Sequence, residues 1–345
     1  DINVSSDYDI SSLITIKEGQ IFRSKEFVSI KNNIIGKLMK EGYCSYDLDS
    51  KAYVDLETHK VNVHFNLKKG DVCTFGKLTV KGLETIDDSV VISRVRAREG
   101  ERFSTDRIQD TYDALYDLET FDHISVKHDR KFYNVVPVEV TGTEIARPWY
   151  FTSDIDYTSS DGFRISAGVK RTNFMGNAKS IGLELTYSRI DEGAEINYFV
   201  PALFKVSDYY IDLESRIGYS EFQYEGFTEQ KGYAEASLSY NDEKWNVNAG
   251  LAIENIDILA RNTLATPNVQ AENFLPIYPF LRFSYDNRDS KIHPRYGYYL
   301  GGMVAYGLPY DDEKESSYLK YGLEGKAVYS FTDLTFLAIA KAGIV

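Results

Sequence analysis

Beyond residue 149 the chain alternates apolar and polar positions with a period of two. Phe163, Ile165, Ala167 and Val169 fall on one face of an extended strand, with Arg164, Ser166 and Lys170 on the other. Ile181, Leu183, Leu185 and Tyr187 stand opposite Glu184, Thr186 and Ser188. Leu319, Tyr321, Leu323 and Ala327 stand opposite Lys320, Glu324 and Lys326. Successive side chains of a strand point to opposite faces, so each run predicts a strand with one apolar and one charged side. Turn clusters divide the region into eleven such strands, at 150–157, 162–172, 178–190, 194–202, 209–221, 232–241, 244–259, 277–287, 297–308, 318–331 and 334–344. Tyrosine and tryptophan gather near strand ends, as at Tyr157, Tyr187, Tyr209, Trp245 and Tyr298. No stretch reaches the roughly 18 apolar residues that a spanning helix needs, but alternation hides a membrane sheet from any hydropathy average. The expectation is an antiparallel transmembrane β-barrel with its apolar face to lipid. Single-chain bacterial barrels close with an even strand number, and the chain stops inside a strand at Val345, so the barrel is expected to be truncated at about eleven strands.

Before residue 147 the period becomes helical. Ile108, Tyr112, Leu115 and Leu118 form one face of an amphipathic helix, with Ser104 or Thr105 as its N-cap. Glu18-Gly19-Gln20-Ile21-Phe22 recurs as Glu99-Gly100-Glu101-Arg102-Phe103, and a helix follows each copy, at 25–40 and 105–118. Gly42, before Tyr43, supplies a positive-φ stop for the first helix. Strand pairs follow, 45–56 with 61–67 and 124–128 with 135–140. A strand at 76–81 and a short helix at 88–98 precede the second copy, and a strand stub near 2–4 precedes the first. The chain therefore reads as α+β repeats of the order β-α-α-β-β, with two helices on one face of a three-stranded sheet and unprotected sheet edges. The expected divisions are 1–72, 73–147 and 148–345.

This order, with Glu-Gly-x-x-Phe before the second helix, resembles the POTRA domain of the Omp85 superfamily; the residues carrying it are Glu18, Gly19, Phe22, Gly42, Tyr43, Glu99, Gly100 and Phe103. The run from Tyr285 through Asp286, Arg288, Asp289 and Pro294 to Gly297 is similar to an Omp85 barrel segment. There Asp286, Arg288 and Asp289 are expected to pair inside the wall and lock the strand end, while Pro294 and Gly297 shape the turn. Within the superfamily, the stretch 157–162, Asn173-Phe174-Met175-Gly176-Asn177 and Tyr198-Phe199-Val200-Pro201 resemble the TamA group, with the BamA group and two-partner-secretion transporters as alternatives.

The resemblance implies an outer-membrane location with the repeats in the periplasm, a lipid bilayer around the barrel, and no cofactor. It implies unfolded outer-membrane or secreted clients captured by strand addition at sheet edges, and a periplasm-spanning or inner-membrane partner. It also implies a lateral seam at the first barrel strand (Trp149, Tyr150, Phe151, Ile155, Tyr157), which reads as short and broken by Thr152, Ser153 and Asp154. In an oxidising compartment Cys44 and Cys73, near the open end of the 45–67 hairpin, form either a disulfide or two buried or half-exposed thiols.

Composition narrows the chemistry. Lys and Arg number 39 against 52 Asp and Glu, a net charge of −13, which argues against nucleic acid, whose phosphates need a basic face. No G-x-S-x-G, H-E-x-x-H or P-loop is present. His59 and His64, like His123 and His128, are five apart and would lie on opposite faces of a strand, so neither pair makes a metal site. Asp311 and Asp312 read as solvated loop. An enzyme is not expected. A passive porin, the remaining class, would have no use for the α/β repeats.

Overall fold

The computed structural model describes residues 1–129, 134–159, 162–260, 272–308 and 317–344. Ser160, Asp161, Asp311, Asp312 and Val345 lie outside the described residues. Two compact units emerge: Asp1–Glu84 with Arg94–Ile145, and Thr85–Ser93 with Ala146–Val345.

The first unit carries two three-stranded sheets. In the first sheet β1 (Ile2–Ser6), β2 (Asp47–Asp55) and β3 (Lys60–Lys68) lie in the order β1-β3-β2, with β1 parallel to β3. Asp55 sets the hairpin turn between β2 and β3. Its carboxylate accepts the backbone N–H groups of Glu57 and Thr58 and, at 2.6 Å, the Thr58 hydroxyl. These bonds hold the Asp55 carboxyl below the usual carboxylate range. Val63, Phe65 and Leu67 of β3 turn inward against Ile30, Ile34 and Leu38 of α1 (Ser24–Lys40), and Phe22 packs at the rim of this core. Gly42 ends α1 with φ at +91°, and a Cβ there would sit 2.8 Å from the Phe103 carbonyl oxygen. The first helix expected of this repeat is only a 3-10 turn, Ser11–Leu13. The Asp9 carboxylate takes the Ser11 N–H, and the β-branched Ile14, Thr15 and Ile16 that follow disfavour a helix.

The second sheet orders β4 (Thr74–Lys81), β5 (Phe121–His128) and β6 (Val135–Glu144) as β4-β6-β5, again with its first strand parallel to the central one. The helix expected at 88–98 is shorter, α2 (Asp88–Arg94), and lies mostly in the second unit. On α3 (Thr105–Tyr116), Ser104 is the N-cap and accepts the Asp106 N–H. The buried face differs from the expected one by a residue. Thr111 and Leu115 are buried, while Tyr112 stacks on Tyr116 at the surface. Thr111 tolerates burial because its hydroxyl donates to the Arg107 carbonyl and accepts the Arg96 N–H.

In the second unit eleven strands form one antiparallel path. They are β7 (Trp149–Thr158), β8 (Gly162–Arg171), β9 (Ser180–Ser188), β10 (Asp191–Val206), β11 (Tyr209–Gln223), β12 (Phe227–Asn241), β13 (Trp245–Ala260), β15 (Ile277–Asp286), β16 (Tyr296–Gly307), β17 (Tyr318–Phe331) and β18 (Leu334–Ile344). A three-residue strand that the pattern missed, β14 (Glu272–Phe274), pairs with β13 off this path. β10 runs past the limit expected at 202 because a register shift between Val200 and Phe204 absorbs Pro201, which donates no ladder bond. Ala202 adopts φ +49° there and gives its N–H to the Asp212 carboxylate at 2.8 Å. Thr152, Ser153 and Asp154 do not break the first strand: β7 pairs with β8 without interruption from Trp149↔Arg171 to Thr158↔Gly162.

Phe103 is fully buried, with its ring 5.2 Å from Phe75 and 5.5 Å from His128. Phe103→Ala should lower the stability of the first unit by about 3–5 kcal/mol, read as a fall in the urea midpoint of that unit's transition.

Candidate functional site

The two faces of the large sheet are chemically opposed. Register places Ile155 against Ile165 and Ile165 against Tyr187. The same apolar face carries Ile196 against Ile217, Leu281 against Val304, and Tyr329 against Phe336. Phe151 is 79% exposed and Ile155 70%. Each such side chain left in water forfeits about 1.5–3 kcal/mol of burial, and so continuous an apolar surface is foreign to a soluble monomer. Tyr157 and Phe163 meet at 4.9 Å at one end of β7 and β8; Trp245, Tyr285 and Tyr298 form a contiguous row at 4.8 and 5.7 Å at the ends of β13, β15 and β16. No described helix is long and apolar enough to cross a membrane; a β-barrel crosses with strands.

The opposite face is ionic. Glu235 on β12 accepts both guanidinium nitrogens of Arg282 at 2.7 and 2.9 Å and that of Arg216 at 2.8 Å. Arg216 extends to Glu195 at 3.9 Å, and Glu195 accepts the Tyr233 hydroxyl at 2.6 Å. Glu324 continues the pattern between Lys326 and Lys341. The Glu235 side chain is only 9% exposed, and its two arginines offset the desolvation of the carboxylate. The alternating charges were legible in the sequence, but the Arg216–Glu235–Arg282 triad was not, because it depends on the register among β11, β12, β13 and β15.

The named barrel residues divide into two local functions. Arg288 grips Asp286 through two bonds at 2.8 and 2.7 Å and lies 5.6 Å from the Tyr299 ring centroid. Asp289 does not join this pair; its carboxylate takes the backbone N–H groups of Arg295 and Tyr296, closing the loop that holds Pro294. Gly297 has φ +113°, which a side chain would strain.

On β7, Trp149, Phe151, Ile155 and Tyr157 share the apolar face, while Tyr150 points to the other. Arg171 caps Trp149 at 5.4 Å. Every residue of β7 is exposed, and so is every residue of β18; these strands are the two edges of the eleven-strand path. The turn after β8 is strongly bent, with Asn173, Met175, Gly176, Asn177 and Ala178 all at positive φ. Thr85 and Asp87, in the same unit, hold it. The Asn177 amide accepts the Asp87 N–H and donates to its carboxylate, both at 2.8 Å, and Asn173 donates to the Thr85 hydroxyl at 2.7 Å.

In the small sheets, Gly19 and Gly100 adopt matching positive φ, +79° and +82°, after the exposed Glu18 and Glu99. Tyr43 packs against Tyr8 with tilted rings 5.8 Å apart. Burial and the adjacent Glu41 carboxylate, which accepts the Tyr8 hydroxyl, push that phenol up to about 12. Strand β2 is a free edge of the first sheet, and β4 and β5 flank the second. Tyr53 and Val54 of β2 are exposed. Cys44 and Cys73 are joined by a disulfide. Among the described residues no cluster of three metal-ligating side chains occurs.

The opposed faces give a directional test. In protein folded into vesicles, Ile165→Arg should lower folding free energy by about 2–4 kcal/mol, whereas Ser166→Arg on the ionic face should be tolerated; urea titration followed by tryptophan emission distinguishes them.

Residues 173–345, half the chain, match the Omp85 superfamily domain, and residues 3–70 match the POTRA surface antigen variable number repeat. The outer membrane protein assembly factor BamA of Neisseria meningitidis is 19% identical over 209 residues, 58% of this chain and 25% of that protein, so the chain spans a quarter of that relative's length. The fold is similar to the crystal structure of BamA from Haemophilus ducreyi lacking POTRA domains 1–3, with a TM-score of 0.57 at 18% identity over 95% of this chain and 66% of the other. It is also similar to CdiB from Escherichia coli, with a TM-score of 0.52 at 11% identity over 99% and 67%. A sheet apolar on one face and ionic on the other, preceded by paired α/β repeats, in a chain that matches that domain over half of its residues, identifies this outer-membrane chain as a member of the Omp85 superfamily.

Proposed function

We propose that the chain is part of an outer-membrane protein assembly or translocation factor. Residues 1–72 and 73–147 serve as periplasmic repeats, and 148–345 as one part of the barrel wall. The observation that carries this reading is the free sheet edge of the repeats together with a large sheet that is apolar on one face. β2 offers unpaired backbone groups beside exposed Tyr53 and Val54. A strand edge binds an extended segment through main-chain bonds with little demand on its sequence, which suits varied unfolded clients. In lipid an open edge leaves backbone groups unsatisfied, so β7, read as one side of a seam with the barrel's final strand, would be covered by an incoming client strand when that seam opens. The work needs neither a cofactor nor a catalytic residue, and a partner spanning the periplasm would meet the repeats.

Within the superfamily, Asn173-Phe174-Met175-Gly176-Asn177 and Tyr198-Phe199-Val200-Pro201 favour the TamA type, while the curated relative favours the BamA type. Both types use the same edges in this scheme.

A photo-crosslinking amino acid at Ile155 of β7 or Tyr53 of β2 should capture a client during its assembly, with Ile155 labelling the client's terminal strand. A client inserted at the normal rate without crosslinks at either position, or with residues 1–147 deleted, refutes the proposal.

A further inference from the structure

Cys73 occupies an unusual place between the repeats. Its backbone N–H donates to the Gly42 carbonyl of the first repeat at 2.9 Å, while its own carbonyl accepts the Phe103 N–H of the second at 2.8 Å. The ladder continues through Phe75 N–H to the Glu101 carbonyl and Gly100 N–H to the Phe75 carbonyl, both at 2.8 Å. The recurring Glu-Gly-x-x-Phe segment of the second repeat is thus laid as a short strand beside the start of β4, and the end of α1 meets the same strand from the other side. Across this joint Arg102 donates its Nε hydrogen to the Glu41 carbonyl at 2.8 Å and lies 5.6 Å from the Tyr43 ring centroid. Lys40 and Asp106 pair at 2.8 Å, both well exposed.

Most of these contacts between repeats lie at the surface, where an ion pair contributes about 0–1 kcal/mol and a hydrogen bond competes with water. The disulfide differs. Cys44 lies on the first repeat just beyond Gly42, and Cys73 immediately before the strand that opens the second; their Cα atoms are 5.8 Å apart and both side chains are buried. We infer that the Cys44–Cys73 bond is a lock on the joint between the two repeats, holding their free edges at one fixed angle so that they present a single rigid surface to an extended ligand. A staple serving only the β2–β3 hairpin would have no need to sit on the residue whose backbone is shared between repeats. The inference is independent of what the edges bind.

The test uses the full chain in detergent micelles, with Cys44→Ala and Cys73→Ala combined. Amide exchange at position 73, whose N–H crosses to Gly42, should accelerate about tenfold or more, while Val63 and Phe65 in the first core and Phe75 and Phe103 within the second repeat keep their protection. Two non-cysteine spin labels, at Glu57 and Lys127, should give a single narrow distance in the parent protein and a broadened one in the variant. Arg102→Ala should loosen the joint in the cysteine-free background yet change its exchange less than twofold when the disulfide is present. Unchanged joint exchange, an unchanged label distance, or acceleration spread equally through β2 and β3 overturns the lock. If the paired variant does not fold, the response to Arg102→Ala in the disulfide-bonded protein decides: loosening there overturns the inference, and its absence supports it.

Discussion

The second unit depends on one constraint: a strand with one apolar side has to satisfy its backbone hydrogen bonds through neighbouring strands, because lipid supplies no partner. Antiparallel pairing does this along β7 to β18, and the period of two then sorts side chains by face. An ionic network such as Arg216–Glu235–Arg282 is compatible with such a wall only on the side away from lipid, where water screens it. The same alternation that turns Ile155, Ile165 and Tyr187 outward therefore concentrates the charges of three strands on the other side, close enough for Glu235 to serve two arginines at once.

The first unit solves a different problem with the same bond. Each of its sheets is too small to bury two faces, so one helix covers one face, and a strand remains at each edge. Free edges are a liability in most soluble proteins. Here they are the proposed working surface, which makes their relative orientation matter more than the sequence they carry.

Much of this was legible in the chain before any coordinates. All eleven principal strands followed from alternation, because that signal is repeated and needs no knowledge of partners. The start of α3 followed from Ser104 for a similar reason. What escaped depended on partners remote in sequence. Thr111 is buried only because Arg107 and Arg96 satisfy it, and Tyr112 is displaced as a result. The continuity of β7 across Thr152, Ser153 and Asp154 comes from β8, not from its own composition. The first helix of repeat one fell short because Asp9 competes for the backbone locally, a choice that helix propensity alone does not weigh. Among the candidate residues, the motif grouped Asp286, Arg288 and Asp289 in one pairing, whereas the structure joins Asp286 to Arg288 and sets Asp289 to cap the closed loop.

The bend between β8 and β9 draws on residues from far earlier in the chain. Left-handed backbone at Asn173, Met175, Asn177 and Ala178 is unfavourable for each non-glycine residue; bonds inside the turn, from the Phe174 N–H to the Lys179 carbonyl at 2.7 Å and from the Ala178 N–H to the Asn173 side chain at 3.0 Å, offset it together with those to Thr85 and Asp87, nearly ninety residues earlier. The turn's own bonds and those from the earlier segment act together, so the start of the membrane sheet is stitched to chain that precedes it.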